Sequence, residues 1–419
     1  MANFSFVRGK ARHVTLLAAA TAILLAAAPA IAQEAPATVT SKARPDYDAA
    51  GVRVGSLLFF PSIDLGVKYN DNIYATNTNE QNDVIYSIAP SAVLRSDTAN
   101  HMFEIGTKAD VAYFSDNSDE DFYDWSVFSG GRLDVTRNTS FKAGASYNRE
   151  HEDRSSPNAA AGTKPTKYDQ TGAQLGFNHK FNRFGVELGG DYSNFDYKDS
   201  RGIAGAVIDQ DYRDRNSYKV EGRALYEIQE GYNAFLKAAY NNQDYNNAAA
   251  VIDRGSDGYV VEVGSKIELG ELAFADLGVG YLQQNYDRKQ FNDISGLSVT
   301  ADAYWNVTQM DTITAKLHRS VAETTVAGAS GTTITSFGLG IDHELMRNVI
   351  LSAGADYSHS QYEGLTREDD VYGITLGGKY LINRNLSVGA EYKYDDRSSD
   401  KAVDEFSRNT FLVNLKAGL

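Results

Sequence analysis

Apolar and polar residues alternate with a period of two along almost the whole chain after residue 56. From Leu57 to Tyr69 the odd-numbered positions are mostly apolar, whereas the even-numbered positions from Ser62 onward are Ser, Asp, Gly and Lys. The same pattern recurs from residue 103 to 113 and from 386 to 394. Because successive side chains of a β-strand point to opposite faces, each segment predicts a strand with one apolar and one polar face.

The segments number about eighteen and are roughly 10–15 residues long, the length that a tilted strand needs to cross a bilayer. Their centres lie near residues 63, 89, 107, 129, 144, 175, 189, 221, 237, 263, 278, 301, 315, 338, 353, 376, 390 and 413. Long and short connections alternate, and the short ones include the tight turn Asn182-Arg183. We therefore predict an all-β fold over residues 57–419: a transmembrane, antiparallel, up-and-down β-barrel with short periplasmic turns and longer outer loops.

Two further patterns favour a barrel over a secreted β-sandwich or β-helix. Many of the 26 Tyr residues fall where a predicted strand meets the outer interface, as the aromatic girdle of a membrane barrel requires. The last strand keeps apolar residues at alternate positions from Phe411 to Leu419, which resembles the C-terminal signature read by the outer-membrane assembly machinery. The usual terminal residue of that signature is Phe, and here it is Leu. A β-helix would show a short internal repeat, and none is found.

Residues 1–32 have the features of a cleavable signal peptide. A basic start from Arg8 to Arg12 precedes an apolar, Ala-rich run over residues 14–28, and small residues precede a cleavage site after Ala32. The run is too short for a membrane anchor helix, which is the alternative. We expect residues 33–56 to form a short periplasmic segment, and the whole chain to be integral to the outer membrane of a Gram-negative bacterium.

Composition and motifs exclude several classes of function. A net charge of -15 would repel nucleic acid, and the absence of Cys rules out disulfides and thiolate metal sites. Metalloprotease, serine-hydrolase and phosphate-loop motifs are missing. His318 near Ser320 is a chance-level hydrolase pattern, and the same-face carboxylates Asp342 and Glu344 suit salt bridges. We therefore predict no enzyme activity, no cofactor and no metal site, and we expect the acidic run at 116–121 to be solvated.

The charged positions of the predicted polar face are candidates for the lining of a pore. Their signs are nearly balanced, so we expect pairing between neighbouring strands and weak ion selectivity. About eighteen strands enclose a lumen wide enough for water, and residues 33–56 are too short to plug it, although they could tuck into one mouth. The candidates are Asp64, Lys68, Glu104, Lys108, Asp110, Arg132, Lys142, Glu187, Arg223, Lys237, Glu262, Lys266, Asp302, Lys316, Asp342, Glu391 and Lys393.

One stretch carries a family resemblance. Arg44-Pro45-Asp46-Tyr47-Asp48, followed by Phe60-Pro61-Ser62 and by Gly66-Val67-Lys68-Tyr69 with Asn72, resembles the opening motif of an outer-membrane β-barrel porin family. Members of that family are often associated with exopolysaccharide secretion. The resemblance implies an eighteen-stranded exit pore and no catalytic residues.

Three functions follow as hypotheses. The first is the exit channel for a secreted exopolysaccharide, with periplasmic polysaccharide-export components as partners besides the outer-membrane lipid and the assembly machinery. The second is a general or substrate-selective diffusion porin for small solutes, in which a long loop, near 149–167 or 195–215, would fold inward as a constriction. The third is a structural or adhesive barrel. The oligomeric state is left open.

Overall fold

The computed structural model describes residues 37–96, 98, 101–202, 204–246 and 253–419. The predicted signal peptide, residues 1–32, lies outside the described residues. Strands make up nearly all the regular structure. Within the described residues the exceptions are three short 3-10 helices, Ser118–Glu120, Asp211–Arg213 and Ala402–Asp404. No helix within the described part of the chain is both long enough and apolar enough to cross a bilayer.

Eighteen long strands follow one another along the described chain, and each predicted centre falls inside one of them. Their bounds are β1 Leu57–Asn70, β2 Asp83–Ser96, β3 His101–Phe114, β4 Phe122–Thr136, β5 Thr139–His151, β6 Lys167–Phe181, β7 Phe184–Tyr197, β8 Arg215–Gln229, β9 Tyr232–Tyr245, β10 Ser256–Leu269, β11 Ala273–Tyr286, β12 Ile294–Thr308, β13 Asp311–Ala322, β14 Thr332–Met346, β15 Val349–Tyr362, β16 Glu368–Leu381, β17 Leu386–Ser399 and β18 Phe406–Gly418. A three-residue strand, Val52–Val54, pairs with the start of β1.

The sheet is closed. Each long strand pairs antiparallel with the next, and β1 pairs with β18 from Ser62↔Gly418 to Asn70↔Thr410. Closure leaves no unpaired sheet edge, which is the condition for a sheet to cross a bilayer. The predicted all-β, up-and-down barrel of eighteen antiparallel strands is confirmed.

The two ends of the barrel differ in their connections. At one end, here called the turn end, tight turns join the strands. One is Asn182–Arg183, where Asn182 has φ 56°, and another places Gly231 at φ 79°. The other end, the loop end, carries the long connections, named L1 to L9 in chain order. Those used below are L2 (115–121), L3 (152–166), L4 (198–214), L5 (246–255) and L7 (323–331). This alternation matches the prediction.

The outside of the barrel is apolar and the inside is polar. Val279 and Leu376, near the middle of β11 and β16, are 49% and 50% exposed, whereas the charged Glu262 and Lys266 of β10 are only 1% and 2% exposed. A water-soluble protein has the opposite distribution, because burial of charge and exposure of large apolar side chains both cost free energy. The arrangement is that of a protein whose outer surface contacts lipid.

Candidate functional site: the lumen and its two mouths

A dense polar network lines the inner wall along β7 to β12. The Arg223 guanidinium on β8 donates two hydrogen bonds, of 2.7 and 2.8 Å, to the Asp276 carboxylate on β11. This contact passes over the two intervening strands, which is possible only on the concave side of the wall. Glu262 on β10 accepts hydrogen bonds from Lys237 at 3.1 Å and from Ser298 at 2.5 Å. Buried charges of this kind are held by partners, so the wall here is rigid.

The ring of Phe235 on β9 packs beneath this polar network. The guanidinium carbon of Arg223 lies 3.9 Å from the ring centroid, so the cation stacks on the ring face. A Cβ on Gly264 of β10 would lie 2.4 Å from the same ring. The strand therefore carries Gly at this position because the Phe235 ring packs directly against its backbone.

The other predicted pore-lining residues make separate contacts along the wall. Asp64 accepts hydrogen bonds from Asn414, Glu104 from Arg95, Asp302 from His318 and Asp342 from Ser352. Glu187 lies 3.9 Å from Arg223, and Lys266 pairs with Glu268 at 3.2 Å. Asp110, Lys142 and Glu391 also interact with neighbours. Lys108 is the register partner of Ser126, and Lys316 that of Asp302.

The expectation that these charges pair between neighbouring strands holds for some of the ion pairs, whereas others form within one strand. Lys237 and Glu262 are register partners on adjacent strands. Arg132–Asp134 at 2.8 Å and Lys393–Asp395 at 3.0 Å instead join residues two apart on one strand. Residues two apart share a face and are about 7 Å apart at the backbone, which a Lys or Arg side chain spans easily.

L3 folds into the loop-end mouth of the barrel. It leaves the wall between β5 and β6, yet the Asn158 side-chain oxygen accepts hydrogen bonds from the Thr325 backbone N–H at 2.8 Å and the Thr324 hydroxyl at 3.1 Å in L7. L7 lies between β13 and β14, so eight of the eighteen strands separate the two loops in one direction around the barrel and ten in the other. L3 therefore crosses nearly the full width of the mouth.

Contacts with β17 and β18 place L3 below the rim. The Asp153 carboxylate lies 3.7 Å from the Arg408 guanidinium, and Arg397 donates a hydrogen bond to the carbonyl oxygen of Ser155. Both arginines lie two residues inside their strands, about 7 Å below the rim at the usual rise of a strand. The lumen is thus narrowed at this end by a loop that turns inward, as the diffusion-porin hypothesis expected of the loop near 149–167.

Buried ion pairs fix the base of L3 to its neighbours. Arg154 donates to the Glu120 carboxylate of L2 at 2.6 and 2.8 Å, and the Arg213 guanidinium of L4 pairs with Glu152 at 2.7 Å. Glu120 is 3% exposed and Glu152 is 8% exposed. The acidic run at 116–121 is therefore not simply solvated, because one of its carboxylates anchors L3.

The electrostatics of L3 and L7 follow from their burial. Burial alone would raise the pKa of Asp153, but Arg408 and the Ser155 donors outweigh it and hold that pKa below its ordinary value. In L7, burial raises the pKa of Glu323 despite the nearby Arg215 and the 2.6 Å hydrogen bond from Tyr245. The Asp153 carboxylate of L3 is therefore held in its charged form beside Arg408 of the barrel wall.

A partly open pocket lies between L3, L4, L5 and L7. Tyr212 and Tyr245 contribute aromatic surface, while Arg254, Glu323 and Asn158 contribute polar groups. Arg254 donates to the backbone oxygens of Ala329 and Val326 and so ties L5 to L7. The pocket is therefore walled by loops that are hydrogen-bonded to one another, and Asn158 of L3 lies in its lining.

The turn-end mouth is occupied by the N-terminal segment. Val39 is 2% exposed and packs with Ile350 of β15 and Leu381 of β16. Ile350 faces the interior, because its neighbour Leu351 is 41% exposed on the outer face. The expectation that residues 33–56 could tuck into a mouth agrees with the position of residues 37–48, whereas Val52–Val54 pairs with the start of β1.

The residues that matter most here escaped the sequence analysis. Glu120, Glu152, Arg154 and Arg213 are charged loop residues, which are solvated in most proteins. No spacing within one sequence shows which loop Arg meets which loop Glu. The one available signal was length, since L3 and L4 were named as the loops that could turn inward.

The carboxylates and His that resembled catalytic groups have structural partners. His318 is 3.2 Å from the Asp302 carboxylate. Asp342 accepts a hydrogen bond from Ser352, and Glu344 pairs with Arg44 and Lys42 of the N-terminal segment. These groups hold the wall and the segment together.

Comparison with known proteins places the chain in a family. A family model described as "Putative beta-barrel porin 2" matches residues 44–418, nearly the whole chain. The chain belongs to this family. It is therefore a channel-forming protein rather than an enzyme, with the fold of an integral outer-membrane barrel. The curated proteins compared with the chain include no match.

Solved structures show similarity at the level of the fold. The siderophore receptor PirA from Acinetobacter baumannii is 7% identical, with a TM-score of 0.49 over 88% of this chain and 81% of that one. A BenF-like porin from Pseudomonas fluorescens Pf-5 is 12% identical, with a TM-score of 0.47 over 86% and 99%. Pseudomonas aeruginosa OccK2 (OpdF) is 13% identical, with a TM-score of 0.46 over 86% and 98%. At these identities and TM-scores, nothing about the substrates of those proteins is inferred for this chain.

Proposed function

We propose that this porin-family barrel is a diffusion channel for small hydrophilic solutes, narrowed by L3. The observation that carries the proposal is the course of L3 across the mouth, from its base at Glu152 to Asn158 beside L7. A loop held on both sides of a lumen divides it and sets an upper limit on solute size. The paired charges of the wall, such as Arg223 with Asp276, support a polar pathway with little preference for one ion sign.

A second candidate is the exit of a secreted exopolysaccharide, the function that the opening motif implies. The tyrosines of the loop-end pocket, Tyr212 and Tyr245, offer surfaces on which sugar rings can stack. Passage of a polymer would require L3 to move out of the mouth. The two buried ion pairs at the base of L3 oppose that movement. We rank this function second for that reason. It would add periplasmic export components to the partners.

The proposal includes the route to the membrane. Residues 1–32 would be removed as a signal peptide, residues 33–56 would stay on the periplasmic side, and the outer-membrane assembly machinery would recognise the last strand, β18, and the terminal Leu419. The charged wall residues would line the solute pathway.

Planar-bilayer recording of the purified protein tests the proposal. A diffusion channel gives long-lived, steady current steps at low voltage, with similar permeability for anions and cations. A barrel that gives no steps under these conditions, together with loss of secreted polysaccharide from a deletion strain, would reverse the order of the two candidates.

A further inference from the structure

The N-terminal segment is held inside the periplasmic mouth by a buried ion pair. The Arg44 guanidinium, 7% exposed, lies 2.6 Å from the Glu344 carboxylate on β14 and donates a second 2.6 Å hydrogen bond to the Val39 carbonyl oxygen. Asp48 accepts the Arg44 backbone N–H at 2.6 Å. Arg44, Asp48, Val39 and Glu344 therefore form one compact cluster, here called the latch.

The segment reaches far across the mouth. It enters from β1, and the Val39 backbone N–H donates to Thr312 of β13 at 2.9 Å, while Asn306 of β12 donates to the carbonyl oxygen of Ala37 at 3.0 Å. In the closed barrel, β12 lies seven strands from β1. Residues 37–48 thus lie over a large part of the opening.

The segment is attached in a way that permits release. Its internal backbone hydrogen bonds are two turns, around Thr38 and Arg44, and side chains supply its contacts with β12 to β14. Each long barrel strand, by contrast, is held by a full ladder on both sides. Detachment would leave the barrel intact.

Two glycines with positive φ lie between the segment and β1. Gly51 has φ 71° and Gly55 has φ 62°, on either side of the short strand Val52–Val54. A Cβ on Gly51 would lie 2.7 Å from the Phe60 ring, so this position has neither the conformation nor the room for another residue. Rotation at Gly51 would swing residues 37–48 out of the mouth while Val52–Val54 keeps its pairing with β1.

We propose that residues 37–48 are a periplasmic gate of the channel, latched by Arg44 and Glu344, and that they form a second constriction beyond L3. This inference rests on the proposed diffusion function. The gate would restrict solutes at the inner mouth independently of L3, so that the lumen between them is a chamber with a filter at each end.

Single-channel recording of Glu344→Gln and Arg44→Gln tests the latch. Removing one partner of a buried ion pair leaves the other charge uncompensated, which corresponds to a shift of about tenfold or more in a closed-to-open ratio. Glu344→Gln removes the carboxylate from both Arg44 and Lys42 and should spend at least about tenfold more time at a higher conductance level than the unmodified protein. Arg44→Gln leaves Glu344 paired with Lys42 at 2.7 Å and should show a smaller increase. Asp46→Asn, an exposed change in the same segment, is the matched control and should leave the levels unchanged.

A cross-link gives the opposite perturbation. Val39 packs with Ile350, and the chain has no Cys, so the double variant Val39→Cys, Ile350→Cys can form a single disulfide. The oxidised channel should lose the higher level, and reduction should restore it.

The outcomes separate the two proposals. Unchanged levels in both latch variants and in the cross-linked channel, beside a conducting unmodified protein, would overturn the gate and leave the diffusion function standing. Absence of current in the unmodified protein with conduction by Glu344→Gln would support the gate. Absence of current in every variant would overturn both.

Discussion

L3 should leave the lumen when its two buried ion pairs are removed together. In the double variant Arg154→Gln, Arg213→Gln, the Glu120 and Glu152 carboxylates, whose side chains are 4% and 8% exposed, lose their cations. Stranding one buried charge costs roughly 3 kcal/mol or more, so each pair shifts the ratio of seated to detached loop by about a hundredfold or more. The barrel ladder is untouched by these changes.

Single-channel conductance and heat-modifiable electrophoresis together check this prediction. The double variant should conduct more than the unmodified protein, with larger current fluctuations, and should keep the same heat-modifiable mobility. The matched control is Lys164→Gln, also in L3, because the Lys164–Asp119 pair is 3.5 Å apart with side chains 65% and 69% exposed and contributes little. If the double variant conducts like Lys164→Gln, L3 is not the constriction.

Three other consequences of the structure can be measured separately. Leu376→Arg on the lipid face should destabilise the barrel by about 2–4 kcal/mol in urea unfolding, whereas Thr375→Arg on the polar face should be tolerated, and equal tolerance would mean that the two faces are reversed. A Cys at Val403, 65% exposed between β17 and β18, should react with a membrane-impermeant thiol reagent on intact cells. A Cys at Arg183 should react only after the outer membrane is broken. The reverse result would mean that the turn end, not the loop end, faces outward. Burial raises the pKa of Asp214 in L4 to about 6. Between the ordinary pKa of an Asp and that value, the folded loop holds a proton that the open loop lacks, so protonation stabilises the folded loop. Acidification from pH 7 to 5 should therefore increase the hydrogen-exchange protection of L4, after correction for the intrinsic exchange rate. Asp214→Asn should abolish that increase, and a decrease in the unmodified protein would contradict the assignment.

Periodicity predicted the barrel because lipid and lumen impose a strict alternation on every strand. Val279 and Leu376 show the rule, since each is apolar, lipid-facing and flanked by residues that point inward. Tight turns added a second local signal, and Asn182 takes the positive φ that favours Asn there. Strand number and centres could therefore be predicted without long-range information.

The constrictions could not be predicted in this way, because they depend on contacts between distant parts of the chain. Arg154 meets Glu120 across 34 residues, and Arg44 meets Glu344 across 300. A loop Arg paired with a buried Glu has the same local sequence as a solvated one. The opening motif marked the position of Arg44, but the lumen partner became visible only when β14 was placed beside the segment.

Permeation of graded sugars into liposomes tests most directly whether L3 makes this barrel a filter for small solutes. The unmodified protein should admit mono- and disaccharides and exclude long oligosaccharides. In the Glu344→Gln background, which releases the N-terminal gate, a variant in which residues 152–166 are replaced by a short turn should admit larger ones than the same background with L3 intact. A size limit that is the same with and without L3, or free passage of long oligosaccharides through the unmodified barrel, would contradict the account.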